Sequence, residues 1–126
     1  MILTQPRIAV VDDEEPVRKA LQRLLRSSGM DVETFPSGRE FLDALTTRIP
    51  DCLLLDLHMP GVNGFEVQAQ LKALGVRLPV VVITGHDTPE AHARVSAGGA
   101  SAYLLKPIDE RTLLDAIAAA IEQQKS

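Results

Sequence analysis

The chain predicts a single α/β domain in which helices cover both faces of a five-stranded parallel sheet. Three observations carry that expectation. Short apolar runs alternate with helical patterns five times along the 126 residues. Such alternation argues for parallel strands joined by right-handed crossovers. Three of the runs, Ile8–Val11, Cys52–Leu55 and Val80–Ile83, are apolar throughout, as expected of strands covered on both sides. A fourth, Val32-Glu33-Thr34-Phe35, is mixed and suits an edge. The strand order 2-1-3-4-5 puts the three most apolar strands in the centre.

The elements follow in order. Strands are predicted near residues 8–12, 31–35, 52–56, 80–84 and 102–106. Between the first two, Val17, Ala20, Leu21, Leu24 and Leu25 trace one helical face, with Pro16 in a first-turn position and Gly29 at the end. Ser37-Gly38-Arg39-Glu40 reads as a capping box opening the second helix, which carries Phe41, Leu42 and Leu45. Asn63 caps a third helix bearing Val67, Leu71 and Leu74 and ended by Gly75. Thr88-Pro89 starts a fourth, alanine-rich and weakly amphipathic, closed by Gly98-Gly99. Asp109 caps a fifth, with Leu113, Ala116, Ile117, Ala120 and Ile121 along its apolar stripe. One domain, 1–126, results, with an ordered core over about 6–122. The polar residues 123–126 read as a natural end or the start of a linker.

Composition excludes several function classes. The net charge of −4 argues against nucleic-acid binding by this chain, which would need a basic patch to displace counterions. A single cysteine, Cys52, precludes an internal disulfide, and its place in an apolar run reads as a small buried hydrophobe. No apolar stretch approaches the roughly 20 residues needed to span a bilayer, and the N-terminus lacks the charged region of a signal peptide. A cytoplasmic location without membrane association is expected. No phosphate-cradling glycine motif follows the first strand, which disfavours a nucleotide-binding module.

The chemistry concentrates at strand ends. Asp12 and Asp13 follow the first strand, Asp56 ends the third, Thr84 ends the fourth and Lys106 ends the fifth. In an open parallel sheet these ends share one edge, where ligands bind. Two carboxylates about 4 Å apart repel by roughly 4 kcal/mol at an effective dielectric near 20. Lys106 supplies one counter-charge, and a divalent cation with a preference for oxygen would supply the rest.

These residues resemble a known signature. Val11-Asp12-Asp13-Glu14, Leu55-Asp56-Leu57-His58-Met59-Pro60-Gly61, Ile83-Thr84-Gly85-His86 and Leu105-Lys106-Pro107 are similar to the motifs of two-component response-regulator receiver domains, in order and spacing and across essentially the whole chain. That family has the CheY-like, flavodoxin-like (βα)5 fold. The Asp-Asp-Glu-Glu-Pro-Val-Arg opening and Thr-Gly-His also resemble the FixJ-like subgroup.

The resemblance implies that Asp56 is the nucleophile and phosphoacceptor, served by a sensor histidine kinase or phosphotransfer protein. It implies Mg2+, with Mn2+ as a substitute, held by Asp13, Asp56 and the backbone carbonyl of His58, with Asp12 acting through a water. Lys106 would pair with Asp56 before reaction and with a phosphoryl oxygen afterwards. Thr84 would donate its hydroxyl to another such oxygen. Thr84 and Tyr103 would form the switch, reshaping the face made by the fourth helix, fifth strand and fifth helix (α4-β5-α5) for homodimerisation or for binding a partner or effector. The Lys106–Pro107 bond would be cis. His58 and His86 would border the site and tune phosphate loss, unless they are loop histidines without effect; His92 reads as solvated. The domain would catalyse only its own phosphorylation and dephosphorylation. A phosphorylation-independent scaffold and an aspartate-nucleophile phosphatase remain as alternatives, the latter weakened because His58 stands where that family has a second aspartate. The kinase, the stimulus and any C-terminal DNA-binding domain lie outside what the resemblance implies.

Overall fold

The computed structural model describes residues 5–125. Five strands, β1 (Arg7–Val11), β2 (Asp31–Phe35), β3 (Cys52–Asp56), β4 (Val80–Thr84) and β5 (Ala102–Leu105), alternate with five helices, α1 (Glu15–Ser27), α2 (Gly38–Ala44), α3 (Gly64–Ala73), α4 (Pro89–Ala97) and α5 (Glu110–Lys125). The sheet order is β2-β1-β3-β4-β5 and every pairing is parallel. The wholly apolar strands occupy the centre, as their composition requires.

Period-two alternation divides each central strand between two cores. Val11, Leu53, Leu55 and Val82 face α2, α3 and α4, where Phe41, Val67, Leu71 and Val95 meet them. Ile8, Val10, Leu54 and Ile83 face α1 and α5, packing on Leu21, Leu25, Leu113 and Ile117. Each fully buried leucine or isoleucine contributes about 1.5–3 kcal/mol of transfer free energy. Cys52 belongs to the second core, and burial pushes its thiol pKa up to about 12, which leaves it a hydrophobe rather than a nucleophile.

Helix starts follow local hydrogen bonding. The side chains of Ser37 and Thr88 accept from Glu40 N and Ala91 N, and Asp109 accepts from Thr112 N. Asn63 and Glu66 form a reciprocal capping box. Helix α1 has no side-chain cap and begins instead with proline in its first turn. Helix α5 continues through residues 123–125, and Gln124 Nε2 donates to the Arg77 carbonyl at 3.4 Å, which ties that last turn to the domain. Ser126 lies outside the described residues. Among the described residues no helix is long and apolar enough to cross a membrane.

The register aligns the strand ends. Val11 sits between Phe35 and Leu55, Asp56 beside Ile83, and Thr84 beside Leu105. Gly64 then closes the loop after β3: its N–H donates to the Leu57 carbonyl at 3.0 Å. A side chain there would put a Cβ 2.6 Å from the Asp56 carbonyl oxygen, so only glycine lets α3 start this close to the end of β3.

Candidate functional site

Asp12 is the anchor of the cleft. It is fully buried, and both carboxylate oxygens are engaged: Oδ1 accepts from Glu14 N at 2.9 Å and Oδ2 accepts from Lys106 Nζ at 3.0 Å. Its backbone carbonyl accepts from Arg18 Nη1 at 2.8 Å, and its N–H donates to the Phe35 carbonyl at 3.2 Å. The β1–α1 loop is thereby fixed from four directions.

Asp56 ends β3 almost completely buried. Its Oδ1 accepts a long 3.4 Å bond from His58 N. Asp13 is exposed at the mouth, and one carboxylate oxygen from each of Asp12, Asp13 and Asp56 lies within 4.8 Å of the others. Burial, then the Asp12 charge, raises the Asp56 pKa to about 7, with Asp13 adding to the rise and Lys106 and the His58 N–H opposing it. An all-oxygen, net-negative donor set in which one carboxylate is held against ionisation fits a hard divalent cation such as Mg2+.

Lys106 does not take Asp56 as its main partner. Its Nζ lies 3.0 Å from Asp12, 3.4 Å from Glu14 and 3.8 Å from Asp56, so the expected pairing with Asp56 is present as the longest of three contacts, with Asp12 the nearest partner. Asp12 Oδ2 accepts the ammonium's hydrogen bond, while burial and the Asp12 charge push the Asp56 carboxyl toward its neutral form. Burial alone would lower the Lys106 pKa, but the Asp12 hydrogen bond and the charges of Asp56, Asp12 and Glu14 overcome it and leave the pKa raised. The Lys106–Pro107 peptide is cis.

Thr84 is buried at the end of β4. Its hydroxyl accepts from His86 N at 3.1 Å and donates to the His86 carbonyl at 3.2 Å, closing a turn at the pocket's rim. His58 and His86 are exposed, with ring centres 5.5 Å apart at 85°. Tyr103, on β5, is half-buried, and its hydroxyl is buried without a hydrogen-bond partner. Burial, then the neighbouring Asp87, raises its pKa. His92 is exposed but not merely solvated: its ring centre lies 4.6 Å from that of Tyr103.

The structure thus brings Asp12, Asp13, Asp56 and Lys106 together, with Thr84, His58 and His86 at the rim and Tyr103 on the β5 side. Two contributors were not anticipated as part of the site, Glu14 and Arg18. Their only sequence signal is position: Glu14 continues the acidic run, and Arg18 lies in the first turns of α1, within reach of the loop.

Comparison with known proteins assigns the fold to a family. Residues 8–118 match the family model described as the response regulator receiver domain. The chain is 42% identical over 123 residues to the response regulator protein TodT of Pseudomonas putida, covering 94% of this chain and 54% of that protein. It is 37% identical over 122 residues to nodulation protein W of Bradyrhizobium diazoefficiens, covering 97% and 54% respectively. The chain therefore spans about half the length of these relatives. Among solved structures, the crystal structure of FixJ-N superposes with a TM-score of 0.88 at 32% identity, covering 95% of this chain and 96% of that one. With its cleft, strand order and matched residues taken together, the chain belongs to the response regulator receiver domain family.

Proposed function

We propose that this receiver domain accepts a phosphoryl group on Asp56 from a histidine kinase or phosphotransfer protein, in a Mg2+-dependent step, and signals through the α4-β5-α5 face. The observation that supports this most is the buried Asp56 carboxyl, within 4.8 Å of Asp12 and Asp13 donors and 3.8 Å from Lys106 Nζ. A carboxylate oxygen is a competent nucleophile for phosphorus. It forms the new O–P bond as the donor's P–N bond breaks, and the donor imidazole leaves. Phosphoryl transfer depends chiefly on positioning and charge neutralisation.

Asp13, Asp56 and the His58 carbonyl would hold the cation, with Asp12 acting through water; both Asp12 oxygens already have protein partners, which suits that indirect role. Bound there, Mg2+ supplies charge neutralisation for the acidic cleft and the phosphoryl oxygens. Lys106 takes one phosphoryl oxygen, moving from Asp12 and Glu14. Thr84 takes another by giving up its bonds to the His86 backbone. Tyr103, whose hydroxyl has no partner to lose, follows into the space that Thr84 vacates. An apolar groove of about 350 Å³ beside Lys106, lined by Val17, Leu21, Leu24 and Ile108, suits a helix of the donor. Leu105, 49% exposed on edge strand β5, suits the output face or a homodimer.

The test is incubation with Mg2+ and acetyl phosphate, read by intact mass and base lability, with Asp56→Asn as control. One base-labile phosphoryl group on the native chain and none on the variant is the expected result. No adduct together with no response to beryllofluoride would leave a phosphorylation-independent scaffold. Rapid multiple turnover of phosphate esters would make the domain a phosphatase.

A further inference from the structure

His58 and His86 stand on neighbouring loops at the same sheet edge. Strands β3 and β4 pair directly, with Asp56 opposite Ile83, and each histidine follows its strand's last residue by two positions. Both backbones are tied to the pocket. His58 N donates to Asp56 Oδ1 at 3.4 Å, and His86 is bound at both its N–H and its carbonyl by the Thr84 hydroxyl. The two imidazoles are therefore held close by the fold while their rings remain exposed.

Their spacing fits a particular ligand. Metal–nitrogen bonds of about 2.0–2.1 Å meeting at a tetrahedral angle place two imidazole ring centres roughly 5 Å apart. The rings here are 5.5 Å apart. Turning each exposed ring about its Cβ–Cγ bond re-aims the nitrogens while hardly moving the centres. Among the described residues, the acidic trio is the one group of three or more mutually close ligating side chains, so the imidazole pair would leave the ion's remaining positions to water or an incoming anion.

We propose that His58 and His86 form a second cation site, selective for imidazole-preferring divalent ions of the zinc class, beside the oxygen-lined cleft. Ligand softness separates the two: carboxylates suit Mg2+, and imidazoles suit zinc, copper or nickel. An ion bridging the rings ties the β3–α3 loop to the β4–α4 loop across the pocket mouth and offers its open positions to an oxyanion entering the cleft.

The probe is zinc chloride titrated into the full chain with Mg2+ saturating, followed by calorimetry and by the histidine ring resonances. One zinc per chain is expected, with the His58 and His86 ring signals moving together and that of His92 unmoved. His58→Ala and His86→Ala, in separate loops, should each weaken binding by at least about tenfold, as loss of one of two ligands implies. Asp56→Asn should leave it near the native value. Binding that ignores both histidine substitutions, or that vanishes with Asp56→Asn, would place the ion on the acidic trio and reduce the ring pair to an aromatic contact. Zinc binding needs no phosphodonor, so this outcome and that of the phosphoacceptor reading are independent.

Discussion

The two sides of the cleft are built to different standards. On the β1 side, Asp12 is fully buried and hydrogen-bonded to Glu14, Lys106, Arg18 and Phe35. On the β5 side, Tyr103 has a buried hydroxyl with no hydrogen bond, and the Thr84 hydroxyl bonds only its own turn. The packing beneath differs as well. Helix α1 buries Leu21 and Leu25, whereas α4 buries only Ala91 and Val95. A wall that must hold several charges in place needs every polar atom satisfied, because a buried unpaired group costs about 1–3 kcal/mol. A wall that must move benefits from having little to break.

Substitutions test this contrast. The largest effect belongs to Asp56→Asn, which should abolish phosphoryl labelling; a residual adduct elsewhere would transfer the nucleophile's role. Next comes Gly64→Ala, which forces a Cβ to 2.6 Å from the Asp56 carbonyl oxygen. It should destabilise the domain by about 1–3 kcal/mol, as overpacking does; an unchanged urea midpoint would mean that the loop yields and the fixed side is softer than drawn.

A pH series probes the same wall. The Asp56 carboxyl sits at about 7 in the fold against an ordinary value of 3.8. Between those values the folded state binds more protons than the unfolded chain, so the stability of the metal-free protein falls as pH rises through that window. The slope is about 1.4 kcal/mol per pH unit at its steepest. Asp56→Asn, or saturating Mg2+, should flatten it, and urea denaturation across the window would show whether they do. Asp12→Asn should bring the Asp56 pKa down, since the Asp12 charge is the second cause of its rise; a carbon-detected NMR titration reads this directly. The smallest loss is expected from Tyr103→Phe, which removes a buried hydroxyl with no hydrogen bond of ordinary geometry, though Asp87 lies beside it. Stability should hold or rise, by up to about 1–3 kcal/mol, as an unpaired buried group is lost. A loss would reveal a partner for that oxygen and narrow the contrast between the two sides.

How much was legible in the sequence follows the same division. Central strands declare themselves because burial on both faces leaves no room for a polar residue, and Ile8–Val11, Cys52–Leu55 and Val80–Ile83 have none. Caps at Ser37, Asn63, Thr88 and Asp109 are readable because a single side chain meets a backbone N–H three positions on. The convergence of Asp12, Asp13, Asp56 and Lys106 follows from topology alone. What stayed hidden depends on rotamers and on loops crossing in space. Lys106 lies nearer to Asp12 and Glu14 than to Asp56, an order set by side-chain geometry that no motif records. The approach of His92 to Tyr103 joins a helix face to an edge strand. The polar residues 123–126 leave a natural end and a linker start open, because composition does not show that Gln124 meets the Arg77 carbonyl.

The bond between Lys106 and Asp12 spans 94 positions of the chain. During synthesis, the anionic edge of the sheet is finished long before Lys106, whose ammonium is the one paired with it among the described residues, leaves the ribosome. Until β5 docks, that edge lacks the Lys106 charge that holds Asp12 and opposes the rise of the Asp56 pKa, so a prematurely terminated product should lack a settled cleft. A settled cleft is thereby reserved for chains that have been translated past their last strand.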